Sequence, residues 1–454
     1  MNDPVIKTCP FGPIQTDKYK RNCSRELAET ARQTVHGSGY RQIKDPEKTA
    51  RQFRAAVVAV QKTADRFLKS DPDRVIKPQL IRDIAKTCLE KVDKQKLNSY
   101  QQIGAYQGAL EVISALAEKP GSYAVEQAAR KLIDGRGAFY FDNRLKDEPH
   151  SLEKNREMLK MGLKAEQLVA QAICHPGLTA VTQAALPTHA GLAAVEAAAQ
   201  KYTLPYRHET SCYQALDLNL VSEVADHSLR PMNFCINGKA RAAYMKESLQ
   251  IAGSLAHLVG IKEGKPHKGG AGMVETIADK ALNQEKCADK SHDPRFIKWG
   301  KTHKLSPWEQ VGEYQGALEV IAAVGYIATP SDLSLGAARA LKHRDNFPVW
   351  SYDIDRIYTG KEFNVWLEDE LKAEYKAKTE TLQGRARDHY YQSAARSLGI
   401  MAQDLDCSKA LAVTESGEGG EWTLHALNNI SFEKPQNPRP KPGKTCKKEK
   451  NHDR

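Results

Sequence analysis

The sequence predicts a mainly α-helical protein. Two duplicated helical-bundle modules are joined by a helical connecting segment. A C-terminal helix with a small β-hairpin and a disordered basic tail follow. Three observations carry this. Gly104–Leu116 (GAYQGALEVISAL) and Gly312–Val324 (GEYQGALEVIAAV) agree at ten of thirteen positions. Apolar residues recur every three or four positions through long stretches, which makes one stripe along a helix. Pro and Lys crowd the last twenty residues, a composition that cannot bury enough apolar surface to order itself.

The chain opens with an N-terminal segment, residues 1–44. Module 1 is expected over 45–150. Within it, Phe53, Val57, Val60, Ala64 and Phe67 form a helical stripe that Asp71, Pro72 and Asp73 interrupt. The repeated helix puts Tyr106, Leu110, Ile113 and Ala117 on one face, and Gln107, Glu111 and Ser114 on another. Gly108 and Gly316 stand mid-helix, at about 1 kcal/mol each relative to Ala. Glycine at the same helical place in both copies points to a close helix crossing.

Residues 151–234 read as the helical connector, with Leu159–Ala172 and Ala190–Ala199 its clearest helices and Pro176, Pro187 and Pro205 its breaks. Module 2 spans 235–362. Fainter echoes support it: Ile84-Ala85 with Ile277-Ala278, and Ala128-Ala129-Arg130 with Ala337-Ala338-Arg339. The period is far longer than that of a solenoid repeat. Residues 363–433 hold the C-terminal part. Long helices with charged faces cover Glu362–Leu398, and Ala386-Arg387 before Tyr390 hints at a partial third copy. Alternation in Ala410–Ser416 and Glu421–Leu427 around Gly417–Gly420 predicts the hairpin. The tail, 434–454, holds eight basic residues against Glu449 and Asp453, more than half of the formal net charge of +11.

Composition bounds the function. Charged residues make up 27% and mean hydropathy is −0.58, and no apolar run reaches the roughly 18 residues that span a bilayer, so membrane insertion is not expected. The first residues lack a basic stretch followed by an apolar one, so a secretory leader is not expected. Nine widely spaced cysteines without a CxxC pair predict reduced thiols, no disulfide framework and no zinc site of the paired-cysteine type. A cytoplasmic protein, or one exported without a classical signal peptide, fits these features.

Catalytic motifs in the sequence are few and incomplete. Gly260–Pro266 has its glycines too close for a phosphate loop, with Pro266 where Ser or Thr would hold magnesium. Gly269–Gly272 reads as a flexible turn. His343-Arg344-Asp345 lacks the partners of a kinase catalytic loop. His208-Glu209 opens like a zinc-protease helix, but Cys212 replaces the second His. No cofactor or metal is expected. The remaining enzyme reading is a cysteine nucleophile in residues 170–235: Cys174 beside His175, or Cys212 one helical turn after His208.

Polar residues that recur between the copies are the binding candidates: Tyr106, Gln107, Glu111, Arg130 and Asp142, with counterparts Tyr314, Gln315, Glu319, Arg339 and Asp353. Two readings stand. One is an internal network, in which a downstream Arg answers a buried Glu. The other is a binding surface displayed twice. The functional expectation is a non-enzymatic helical-repeat scaffold that engages a protein partner, compatible with a leaderless secreted effector. One alternative is nucleic-acid association through Lys441, Lys444, Lys447, Lys448 and Lys450 of the tail. The other is the cysteine-dependent enzyme.

Overall fold

A computed structural model describes residues 18–38, 43–70, 76–119, 121–134, 149–203, 216–230, 238–284, 286–288, 302–325, 329–342, 369–407 and 420–429. The described chain is mainly helical. In order, the helices are α1 (Lys18–Ser38), α2 (Pro46–Ser70), α3 (Ile76–Gln95), α4 (Ser99–Glu118), α5 (Gly121–Asp134), α6 (Pro149–Ala172), α7 (Pro176–Ala184) and α8 (His189–Thr203). They continue as α9 (Leu218–Leu229), α10 (Gly238–Lys262), α11 (Gly269–Leu282), α12 (Pro307–Ala323), α13 (Pro330–Lys342), α14 (Asp369–Asp404) and α15 (Gly420–Asn428). Between α11 and α12, strand β1 (Lys286–Ala288) pairs antiparallel with β2 (Thr302–Lys304) in a register that sets Cys287 opposite His303. Among the described residues no helix is long and apolar enough to cross a membrane.

The helix carrying the first copy of the repeat, α4, lies at the centre of its surroundings. Every residue from Ile103 to Ala117 is buried, and α1, α2, α3, α5 and α6 pack around it. Helix α12 carries the second copy and is enclosed in the same way by α9, α10, α11, α13 and α14. Each central helix starts from a capping box. Asn98 Oδ1 accepts from Gln101 N at 3.0 Å, and Gln101 Oε1 accepts from Asn98 N at 3.0 Å. On α12, Ser306 and Glu309 exchange the equivalent bonds, with Pro307 at the first helical position. Reciprocal caps satisfy backbone N–H groups that a buried helix end would otherwise leave orphaned.

The mid-helix glycines explain why one neighbour approaches each central helix so closely. A Cβ on Gly104 or Gly108 would lie well under 3.0 Å from the Lys154 or Met158 carbonyl of α6. A Cβ on Gly312 or Gly316 would meet the Ala386 or Tyr390 carbonyl of α14 in the same manner. Backbone therefore packs on backbone at both crossings. The Ala386–Tyr390 stretch, read from sequence as a trace of a third copy, is the part of α14 that seats on α12.

Helices α7 and α8 pack against α10, and α9 packs against α8, α10 and α12, so the buried apolar cluster runs unbroken from α1 to α15. Ser222 Oγ donates to the Ala322 carbonyl at 2.7 Å across this junction.

One sequence expectation needs correction. Glu421–Leu427 is part of helix α15 and not a hairpin strand. Among its described side chains Thr423, Leu424 and Leu427 are buried, at the one-three spacing of a helix face. Over so short a window, alternation and helical periodicity share most positions. The other half of that expected hairpin, Ala410–Ser416, lies outside the described residues. The N-terminal segment contains α1, which buries Leu27, Ala31 and Val35 against α2 and α4. The tail expected to be disordered, residues 434–454, lies outside the described residues.

Candidate functional site

The recurring polar residues are interior. Tyr106, Gln107 and Glu111 on α4 are buried, as are Tyr314, Gln315 and Glu319 on α12. Burial pushes the Tyr106 hydroxyl up to about 12, with the Arg54 guanidinium as its hydrogen-bonding neighbour pulling the other way. Arg241 Nη2 donates to Gln315 Oε1 at 3.4 Å. Arg339 on α13 bonds Asp226 of α9 through Nη2, while its Nε lies 3.6 Å from Glu319 Oε2. One guanidinium thus ties three helices together and answers a carboxylate that is 1% exposed. Its counterpart Arg130 on α5 contacts Glu126 at 3.3 Å and Glu196 of α8 at 3.0 Å. A second buried carboxylate on α12, Glu313, is held by Arg396 of α14, with His389 of α14 3.9 Å away. Asp142 and Asp353 lie outside the described residues.

Of the cysteine candidates, His208 and Cys212 lie outside the described residues, as do Lys441, Lys444, Lys447, Lys448 and Lys450. Cys174 is exposed, with φ +56°. It occupies the left-handed position of a helix C-cap: its N–H bonds the Gln171 carbonyl at 3.1 Å, and the His175 N–H bonds the Ala170 carbonyl at 3.4 Å. These are the paired bonds of the Schellman motif, in which glycine is the preferred residue. Helix α14 ends in the same way, with Asp406 left-handed and Cys407 N bonded to the Ala402 carbonyl at 2.9 Å. The His175 ring packs on Tyr202 at 4.5 Å between centroids, and burial lowers its basicity.

The cap accounts for the backbone at Cys174 without any chemistry of its thiol. Cys174→Gly is therefore expected to raise stability by about 1 kcal/mol, because a side chain at positive φ costs that much. Denaturant unfolding of the parent and variant measures it. A loss of stability would show that the thiol itself holds something.

Two features escaped the sequence reading. Glu166 of α6 is fully buried, and neither of its carboxyl oxygens has a hydrogen-bond partner among the described residues. Its place on the Leu159, Gly162, Val169 stripe was the available signal. The second is a convergence of His257, His267 and Glu275, whose ligand atoms all lie within 4.8 Å of one another. These residues come from the end of α10, the following turn and α11, and no motif spacing joins them.

Compared with protein-family models, curated proteins and solved structures, this chain matches none.

Proposed function

We propose that the chain is a non-catalytic helical scaffold built from two copies of one six-helix module, engaging a protein partner through the outer faces of both. The copies are α1–α6 and α9–α14. The observation that carries this reading is the recurrence of one packing order. Each central helix has a capping box at its start, two glycines against one long helix, and the same sequence of neighbours around it.

The registers support it further. Buried Phe53, Val57 and Val60 of α2 run in step with buried Met245, Leu249 and Ala252 of α10. Buried Ile81, Ile84 and Ala85 of α3 run in step with Val274, Ile277 and Ala278 of α11. Met158, Leu159 and Val169 of α6 match Tyr390, Tyr391 and Met401 of α14. On this reading each module reaches into stretches that the sequence divides between the N-terminal segment, the connector and the C-terminal part.

The recurring polar residues hold the interior of each module, so a partner would meet outward positions. Helices α5 and α13 each expose one large apolar side chain, Tyr123 at 37% and Leu335 at 50%. Two weak contacts on one chain reinforce each other through effective concentration. Dispersed cysteines fit a cytosolic site of action.

The test begins with cross-linking capture by full-length protein, followed by direct titration of each captured protein in purified form. Tyr123→Lys and Leu335→Lys should each weaken binding, and the double variant should weaken it by at least about tenfold more than either. A double variant that binds like the parent overturns the reading. A parallel titration uses DNA and RNA with a chain ending at Glu433. Binding that persists there at near-physiological salt would favour nucleic acid at the helical body. Binding lost with the tail or with salt would mark the tail as a nonspecific polycation.

A further inference from the structure

We propose that His257, His267 and Glu275 form a site for one divalent transition-metal ion, zinc by its chemistry. Helix α10 carries His257 two turns before a Schellman cap. Gly264 takes the left-handed position there at φ +68°, and Lys265 N bonds the Gly260 carbonyl at 2.9 Å. The turn then doubles back. His267 is itself left-handed at φ +60°, unusual for a residue with a side chain. Gly272 allows the first turn of α11 to press against the His267 carbonyl group, where a Cβ would not fit.

These constraints return the His267 ring over that of His257, with 5.2 Å between centroids. Glu275, one turn further along α11, sends its carboxylate between them. Its Oε2 lies 2.6 Å from His267 Nδ1 and 3.5 Å from His257 Nδ1. Its Oε1 is buried and has no hydrogen-bond partner among the described residues.

Two imidazoles and one carboxylate are the donor set that zinc accepts with a fourth position left to water or a ligand. Calcium and magnesium prefer oxygen cages. A tetrahedral zinc holds its ligand atoms about 3.3 Å apart, given bonds of about 2.0–2.1 Å. The separations here bracket that value. Side chains exposed to 43% and 70%, as those of His257 and His267 are, reach it by rotation. Lys265 and Lys268 flank the cluster and are exposed, so their stems can carry the ammonium groups away.

Bound there, the ion would clamp the end of α10 to α11 across the turn. The first helix set has no such cluster among its described residues. In register with His257 and Glu275 it carries Asp65 and Arg82, and Arg82 pairs with Asp83 at 3.1 Å.

The test uses full-length protein stripped with EDTA and titrated with Zn²⁺, followed by calorimetry and thermal unfolding. Cobalt substitution separates this site from adventitious thiol binding. The expected results are a zinc-dependent rise in Tm and a cobalt spectrum with d–d bands but no thiolate charge-transfer band. His257→Gln, His267→Asn and Glu275→Gln should each weaken binding at this site by at least about 100-fold, beyond what loss of a supporting residue does. Asn is chosen at 267 because it tolerates the left-handed backbone. Unchanged zinc-free Tm values certify the fold of each variant. The proposal is overturned if stripped protein takes up no zinc. It is equally overturned if all three variants bind as the parent does, or if cobalt shows only thiolate ligation that the variants leave unchanged. His267–Glu275 would then be a plain surface hydrogen bond.

Discussion

Gly108→Ala and Gly316→Ala are each expected to destabilise the protein by about 1–3 kcal/mol, although Ala is the better helix former by about 1 kcal/mol. The added methyl on Gly108 would run into the Met158 carbonyl and the Gly162 N–H of α6. On Gly316 it would run into the Tyr390 carbonyl and the Ala394 N–H of α14. These are backbone atoms within regular helices. They cannot swing aside as a side chain can, so relief requires the two helices to separate. Separation loosens contacts along a crossing that buries Tyr106, Leu110, Met158 and Leu159 on one side, and Tyr314, Leu318, Tyr390 and Tyr391 on the other. Overpacking of this kind outweighs the propensity gain. The two sites sit in different helix pairs, so the double variant should lose nearly the sum of the single losses. Thermal and denaturant unfolding of the three variants checks it. A Gly108→Ala protein more stable than the parent would mean that α4 and α6 part without loss.

The helical class, the repeated helix and the close approach at its glycines were legible in the sequence, because each leaves a local mark: a 3.6-residue period, a near-identical thirteen-residue segment, glycine where glycine is costly; that the helix is buried on every face was not. The packing partner of that helix was not legible. Helix α6 meets Gly108 at Met158 and α14 meets Gly316 at Tyr390, two crossings made by different residue types. Their correspondence belongs to the proposed two-module reading, and no local run of residues marks it. The hairpin expected over Ala410–Leu427 fails where it can be seen, since Thr423, Leu424 and Leu427 serve a helix face. The His257, His267 and Glu275 cluster was out of reach for another reason. It depends on left-handed backbone at His267, and nothing in the residue type announces that conformation. The recurring polar residues were legible as a set. Inside the fold, Glu319 lies 3.6 Å from Arg339, whereas Arg130 contacts Glu126 and Glu196.

Glu166→Leu is expected to stabilise the protein, by about 1–3 kcal/mol near neutral pH. A carboxyl group with no exposed surface and no described hydrogen-bond partner bears a desolvation cost in either protonation state, and a far larger one when ionised. Burial, and then the neighbouring Glu196 carboxylate, hold its pKa well above the ordinary 4.5. The sign of the pH dependence follows. Below about 4.5 the carboxyl is protonated in both the folded and unfolded chains. Above it the unfolded chain releases the proton while the folded chain retains it. The raised pKa therefore contributes stability that is fully present below 4.5 and is lost as pH rises through the folded value. The advantage of Glu166→Leu should accordingly grow from pH 4.5 upward. Glu166→Gln should abolish the same pH slope with a smaller gain, because its amide remains a buried polar group. On the proposed two-module reading, α14 has buried Leu398 where α6 has Glu166. Urea unfolding of the parent and both variants at pH 5 and pH 8 decides it. An advantage equal at the two pH values would mean that Glu166 titrates as an ordinary carboxylate. A loss of stability at both would mean that the carboxyl holds a partner whose contact matters more than its burial.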